Sequence, residues 1–134
     1  MITTNDTSVV KLSKFRDAVN DPAFLVAKGV FHGTSEEKTK KEKTHVNQLS
    51  NAILTTIANH GHVNVRTIGK SATANAVKAI TIATATCALN GIKLYWESVF
   101  DKGNLGKMEN ESHVQDVSAV VFKVSKWEDV QEKL

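Results

Sequence analysis

Gly69, Lys70 and Ser71, with Thr73 two positions further on, head the stretch TIGKSATANAVKAITIATATCAL (residues 67–89), which is rich in alanine and threonine and has no acidic residue. These residue types suit an anion. The first amides of a helix have no partner inside it, and the helix dipole places about half a positive charge at the same spot. A glycine lets a backbone approach a ligand closely, a lysine adds a point charge, and the hydroxyls of Ser71 and Thr73 can donate to oxygen. Phosphate is the expected guest. Arg66, on the segment leading in, is expected to reach the same spot, and Lys28 and Lys78 add further cations. Gly69 as a plain turn and Ser71 as a plain cap is the competing reading. The glycine spacing does not make a Walker loop.

The charge pattern agrees with an anionic partner. The chain has 134 residues and a formal net charge of +3. Between Val46 and Tyr95 it carries no aspartate or glutamate, while Arg66, Lys70, Lys78 and Lys93 fall there. From Trp96 onward acids predominate, so the two parts should present fields of opposite sign. Lysines 38, 40, 41 and 43, in TSEEKTKKEKT, are interleaved with glutamates and read as a solvated face or as a nucleic-acid arm.

Other chemistry is poorly provided for. Cys87 sits in the apolar run and reads as a buried, inert thiol. His60 and His62 flank Gly61, but no cysteine or carboxylate completes a metal set, so no metal is expected. Glu97 and Asp101 have no partner carboxylate at a spacing suited to acid and base work. Tyr95, Trp96 and Phe100 could stack on bases, although aromatic residues in a strand usually belong to a core. The reading is a non-enzyme without a cofactor.

Elements must position these residues. Residues 8–19, SVVKLSKFRDAV, place Val9, Leu12 and Phe15 at helical spacing, and VVKLSKF also fits a strand, so the first strand is either 8–15 or 23–31, AFLVAKGVF. TSEEKTKKEKT has no apolar residue and Thr34 and Glu37 at capping-box spacing; it is a solvated loop or an exposed first stretch of helix. Thr44 to Asn59 is helical, HVNVRTI a strand with one face covered, and the run after Gly69 a second helix with Ala72, Ala76, Ala79, Ile80, Ala83 and Cys87 inward. IKLYWESVF and DVSAVVFKV are strands joined by KGNLGKMENESHVQ, and SKWEDVQEKL is expected to be an exposed tail with Trp127 docked.

This order, β α β α β β, demands a crossover that makes the first two strands parallel, whereas the last two are antiparallel. The expected fold is α+β: two layers, a mixed four-stranded sheet with both helices on one face. The expected divisions are an extension over 1–22, a domain over 23–126 with an insertion at about 33–43, and a tail over 127–134. No apolar run of about 20 residues and no basic-then-apolar leader is read, so a cytoplasmic chain without a membrane partner is expected.

VRTIGKSATANAVKAITIAT resembles the corresponding stretch of the stage V sporulation protein S family, in which isoleucine and glycine lead into a helix with the series matched here by Asn75, Ala76, Val77, Lys78, Ala79 and Ile80. The resemblance extends over residues 23–126 and implies an Alba-like domain that binds nucleic acid, DNA or RNA, as a dimer. It implies phosphate contacts from Lys28, Arg66, Gly69, Lys70, Ser71, Thr73 and Lys78. The apolar stripe of the second helix is wider than a two-layer domain covers, which points to a homodimer or higher homo-oligomer built on Ala72, Ala76, Ile80 and Ala83. The extension folding over its own helix is the alternative cover. Two further functional readings stand beside nucleic-acid binding: a dimeric module holding a small phosphorylated ligand such as a nucleotide messenger, and a regulator gripping a protein through the acidic last third.

Overall fold

Thr34 starts the first helix: its Oγ1 accepts a hydrogen bond from the Glu37 amide at 3.2 Å, and Glu36 and Glu37 add negative charge to the first turn. Helix α1 (Ser35–His60) then runs 26 residues to Gly61, burying Val46, Leu49, Ile53 and Ile57 at steps of three and four. The structure, a computed structural model, describes residues 21–101 and 119–128. The expectations for residues 8–19 and for the connection after Asp101 lie outside these. The polar stretch expected as an insertion at about 33–43 is continuous with α1 and forms its exposed first turns.

Strand β1 (Phe24–Val26) pairs parallel with β2 (His62–Ile68), and helix α2 (Lys70–Leu89) follows β2 directly. Strands β3 (Leu94–Phe100) and β4 (Ala119–Lys126) are antiparallel, and the sheet order is β1-β2-β4-β3. The β α β α β β order and the mixed sheet are those expected. The first strand lies within 23–31 but keeps only three residues in the ladder, because the chain leaves the sheet after Ala27 to run against the helices.

Alternation along β2 divides the sheet into two faces. Val63 and Val65 are buried and lie opposite Val124 and Phe122, forming one core with Leu49, Ile53 and Ile57 of α1 and Ala76, Ala79, Ile80 and Ala83 of α2. Burying a side chain such as Ile53 or Ile80 fully is worth about 1.5–3 kcal/mol before entropy is counted. Asn64 and Arg66 belong to the opposite face.

By length and composition α2 could cross a bilayer, contrary to the reading that no such run exists. Seven of its residues are instead buried in the fold, among them Ala72, Asn75 and Cys87. Its threonines turn back on the helix: the hydroxyls of Thr81, Thr84 and Thr86 donate to the carbonyls of Val77, Ile80 and Ile82 at 2.7, 2.7 and 3.0 Å. Trp127 is docked, its ring 5.7 Å from that of Tyr95 and its centroid 5.0 Å from Lys93 Nζ.

Candidate nucleic-acid interface

Because β1 and β2 are parallel, the segments that leave them emerge at the same end of the sheet, the end where open α/β sheets gather ligands. Two pieces of backbone meet there, the loop after β1 and the first turn of α2. A Cβ on Gly29 would stand 2.4 Å from the Ala72 nitrogen and 3.0 Å from the Ser71 carbonyl carbon, so only glycine permits this approach. The adjoining residue is tied to both helices. The Lys28 amide donates to Nε2 of His45 on α1 at 2.9 Å, and the Lys28 carbonyl accepts from Nδ2 of buried Asn75 on α2, also at 2.9 Å.

An accepting Nε2 fixes His45 as the neutral ring with its proton on Nδ1. Burial, first, and the neighbouring charge of Lys28 hold its pKa below the ordinary 6.5, while Glu42 pulls the other way. Phe31 packs beside it, with ring centroids 5.6 Å apart.

Between the loop and α1 lies an open groove of about 460 Å³, lined by Lys28, Phe31, His32, Lys40, Lys41 and His45 together with neutral residues. Among the described residues no carboxylate lines it. Lys41 Nζ donates to the His32 carbonyl at 2.6 Å, an arrangement that orders the ammonium without neutralising it. Lys40 stands 3.8 Å from Glu36, but both are largely exposed, and such a pair is easily exchanged for a stronger anion. Across the loop, Lys38 and Glu42 line a smaller groove with Gly29 and Phe31.

The start of α2 is open in the way the sequence suggests. Gly69 precedes it at φ 87° and ψ 164°, a conformation that excludes side-chain-bearing residues, and a Cβ there would meet nothing within 4 Å. Among the described residues no side chain caps the helix, its first turn contains no acid, and Lys70 and Ser71 are exposed. The first backbone bond back to Gly69 is made by Thr73 at 3.1 Å, which leaves the amides of Lys70, Ser71 and Ala72 ahead of the intrahelical ladder. Of these, the Ala72 amide is the one that Gly29 covers.

Three expected contributors sit elsewhere. Arg66 projects on the sheet face away from the helices, where its Nε lies 2.7 Å from Oδ2 of Asp101, a carboxylate that is almost fully buried. Among the described residues Nε makes no hydrogen bond, but the charges are in contact, and the guanidinium is committed to an internal ion pair. The expectation that Arg66 reaches the start of α2 is therefore corrected by strand alternation, which sends residue 66 to the opposite side from 65 and 67. Thr73 turns inward: its hydroxyl donates to the Gly69 carbonyl at 2.8 Å and lies 3.0 Å from the hydroxyl of Thr67. Lys78, two turns along, lines a separate groove between the helices with Lys43, Val77 and Ile82. Lys28, Gly69, Lys70 and Ser71 remain at the strand-end face.

The residues expected at a subunit contact, Ala72, Ala76, Ile80 and Ala83, are each at most 3 % exposed, buried against the chain's own α1 and sheet. Val77, Ile82 and Leu89 are what α2 leaves uncovered. Cys87 is buried, which pushes its thiol pKa up. Among the described residues no three histidine, cysteine or acidic side chains are placed to hold a metal. His62 instead pairs with Asp21 at 2.8 Å, and Asn64 Nδ2 donates to the same oxygen at 3.3 Å. Burial raises the Asp21 pKa, but the bonds from His62 and the Ala23 amide and the charges of His62 and His60 outweigh it, so the net shift is downward from 3.8.

Gly29, Asn75 and His45, which hold the loop in place, carried no functional reading in the sequence. A lone glycine inside an apolar strand-like run was the available signal, since it often marks close approach of another backbone.

A family model described as stage V sporulation protein S (SpoVS) matches residues 39–126, more than half of the chain, and takes in the start of α2 but not the Lys28–Gly33 loop. No curated protein matches the chain.

Proposed function

The chain belongs to the stage V sporulation protein S family, and from that premise we propose that it is a non-enzymatic, Alba-like nucleic-acid-binding protein that lays a phosphate backbone across the carboxyl ends of β1 and β2. One observation carries the reading: a groove without carboxylates, flanked by Lys28, Lys40 and Lys41, lies along the loop that abuts the uncapped start of α2. Point charges on flexible stems beside free amides suit phosphate oxygens and carry no base code, so binding is weakly selective for sequence. Phe31 and the neutral His45 offer rings to an unstacked base.

The test is fluorescence anisotropy with labelled generic DNA and RNA duplexes over a salt series. Affinity should fall steeply with salt, and replacing Lys40 and Lys41 by glutamate should weaken binding by about tenfold or more and flatten the slope. Absence of binding at about 20 mM salt, where charges are least screened, sinks the reading.

The groove's own dimensions favour a second reading. Its volume of about 460 Å³ is ample for a mononucleotide, so in this reading the face is a seat for a small phosphorylated ligand instead. Thermal shifts with a panel of nucleotides, in the absence of duplex binding, distinguish this case.

A further inference from the structure

The Lys28–Gly33 loop is tied to α2 and to α1 by bonds of different kinds. Toward α2 the ties do not respond to pH: Asn75 Nδ2 donates to the Lys28 carbonyl at 2.9 Å, and Gly29 lies flush against the backbone of Ser71 and Ala72. None of these three residues of α2 ionises. Toward α1, the hydrogen bonds among the described residues are the Lys28 amide on Nε2 of His45 at 2.9 Å and Lys41 Nζ on the His32 carbonyl at 2.6 Å. The first of them depends on a lone pair. A backbone amide can only donate, so the bond exists while Nε2 carries no proton. A proton there sets two donors face to face, and the amide must turn to water.

The surroundings of the ring oppose that proton. Burial comes first and the charge of Lys28, facing it from the loop, second; Glu42, three residues ahead on α1, pulls the other way, and the balance puts the titration of His45 below the ordinary 6.5. His32 lines the same groove from the loop, and Lys40 and Lys41 line it from α1. Lys41 precedes His45 by four residues, the spacing at which like charges on a helix repel, and it also holds the second bond to the loop. A charge on His45 therefore disturbs both ties to α1 and neither tie to α2.

We propose, on the premise that this groove receives nucleic acid, that His45 is a proton-operated latch: the neutral ring closes the loop against α1 and shapes the groove, and the protonated ring lets the loop swing away on its α2 attachment. The groove lies between the loop and α1, so releasing that side alone opens it. The consequence runs against simple electrostatics. Protonation adds a cation to a face built of cations, which by itself tightens phosphate binding. The latch predicts the reverse, because Lys28 and Phe31 are no longer held across the groove from Lys40 and Lys41.

Two measurements on the full chain test this. By nuclear magnetic resonance, the Lys28 amide should lose about tenfold in hydrogen-exchange protection between about pH 7.5 and about pH 5, in step with titration of the His45 ring. In His45→Gln, whose side-chain oxygen accepts but does not titrate, that protection should not follow pH. Fluorescence anisotropy with a labelled generic duplex, at fixed salt over the same range, should show the affinity of the parent falling by about threefold or more, and no fall in His45→Gln whatever its starting affinity. His32→Gln should still show the fall, since His32 meets Lys41 through its backbone carbonyl. A Lys28 amide indifferent to pH, or equally responsive in His45→Gln, overturns the latch, and so does a duplex affinity that holds or rises as the parent is acidified. Failure to bind the duplex at any pH removes the nucleic-acid reading instead, and the Lys28 amide alone then decides whether the ring latches the loop.

Discussion

Helix α1 begins behind Thr34, whose side chain satisfies the Glu37 amide, with Glu36 and Glu37 in its first turn; α2 begins behind Gly69, uncapped, with Lys70 where an acid would be favourable. Both starts lie near the loop that leaves β1. The first is complete within the chain. The second is the less stable choice for a helix considered alone, since a lysine opposes the dipole and, among the described residues, no hydroxyl or carboxylate answers the leading amides. On the proposed function, the second start is the one that answers an anion from outside the chain.

The strongest way to break this contrast is at Gly29. Gly29→Ala puts a methyl 2.4 Å from the Ala72 nitrogen, so loop and helix must part, at a cost of about 3 kcal/mol seen as a lower urea midpoint. Nucleic-acid affinity should fall with it even though no charge is lost. Exchanging the caps sharpens the comparison. Thr34→Ala should cost about 1 kcal/mol with little change in binding, whereas Lys70→Glu should stabilise by about 0.5 kcal/mol while abolishing it. A variant in which stability and binding move together at Lys70 would remove the distinction between the two ends.

The smallest effect is a pH dependence. His45 favours its neutral form when folded, so its contribution is complete above the ordinary value of 6.5 and drains away as pH falls through the lowered folded value. Urea midpoints from about pH 7.5 to about pH 5.5 should show this decline, and His45→Gln, which keeps an acceptor but cannot titrate, should flatten it. An unchanged slope in that variant would assign the decline to other groups.

Much of the fold was legible because its signals are periodic. The α2 stripe and the alternation in HVNVRTI each announce one buried face, and their order forces parallel pairing of β1 with β2. What failed was information that periodicity does not hold. The first turns of α1 are polar all round, and only the Thr34–Glu37 spacing marked them as helix. AFLVAKGVF read as a long strand because apolar content reports burial and not pairing; Val30 is 76 % exposed once the chain has left the sheet. Arg66 was assigned to the site because its partner Asp101 lies far off in sequence and meets it only through the register of three strands. The width of the α2 stripe was taken as needing a second chain, whereas α1 and the sheet already enclose its alanines.

The residue that joins the two helices has a mechanical meaning. Lys28 is held by its amide to α1 and by its carbonyl to α2, so neither helix can slide along the other without breaking a hydrogen bond on one side of this single residue. On the proposed function, a phosphate held by the Lys28 side chain would load a beam clamped at both ends, and the stiffness of that beam would limit how far the surface could remould itself to a new guest.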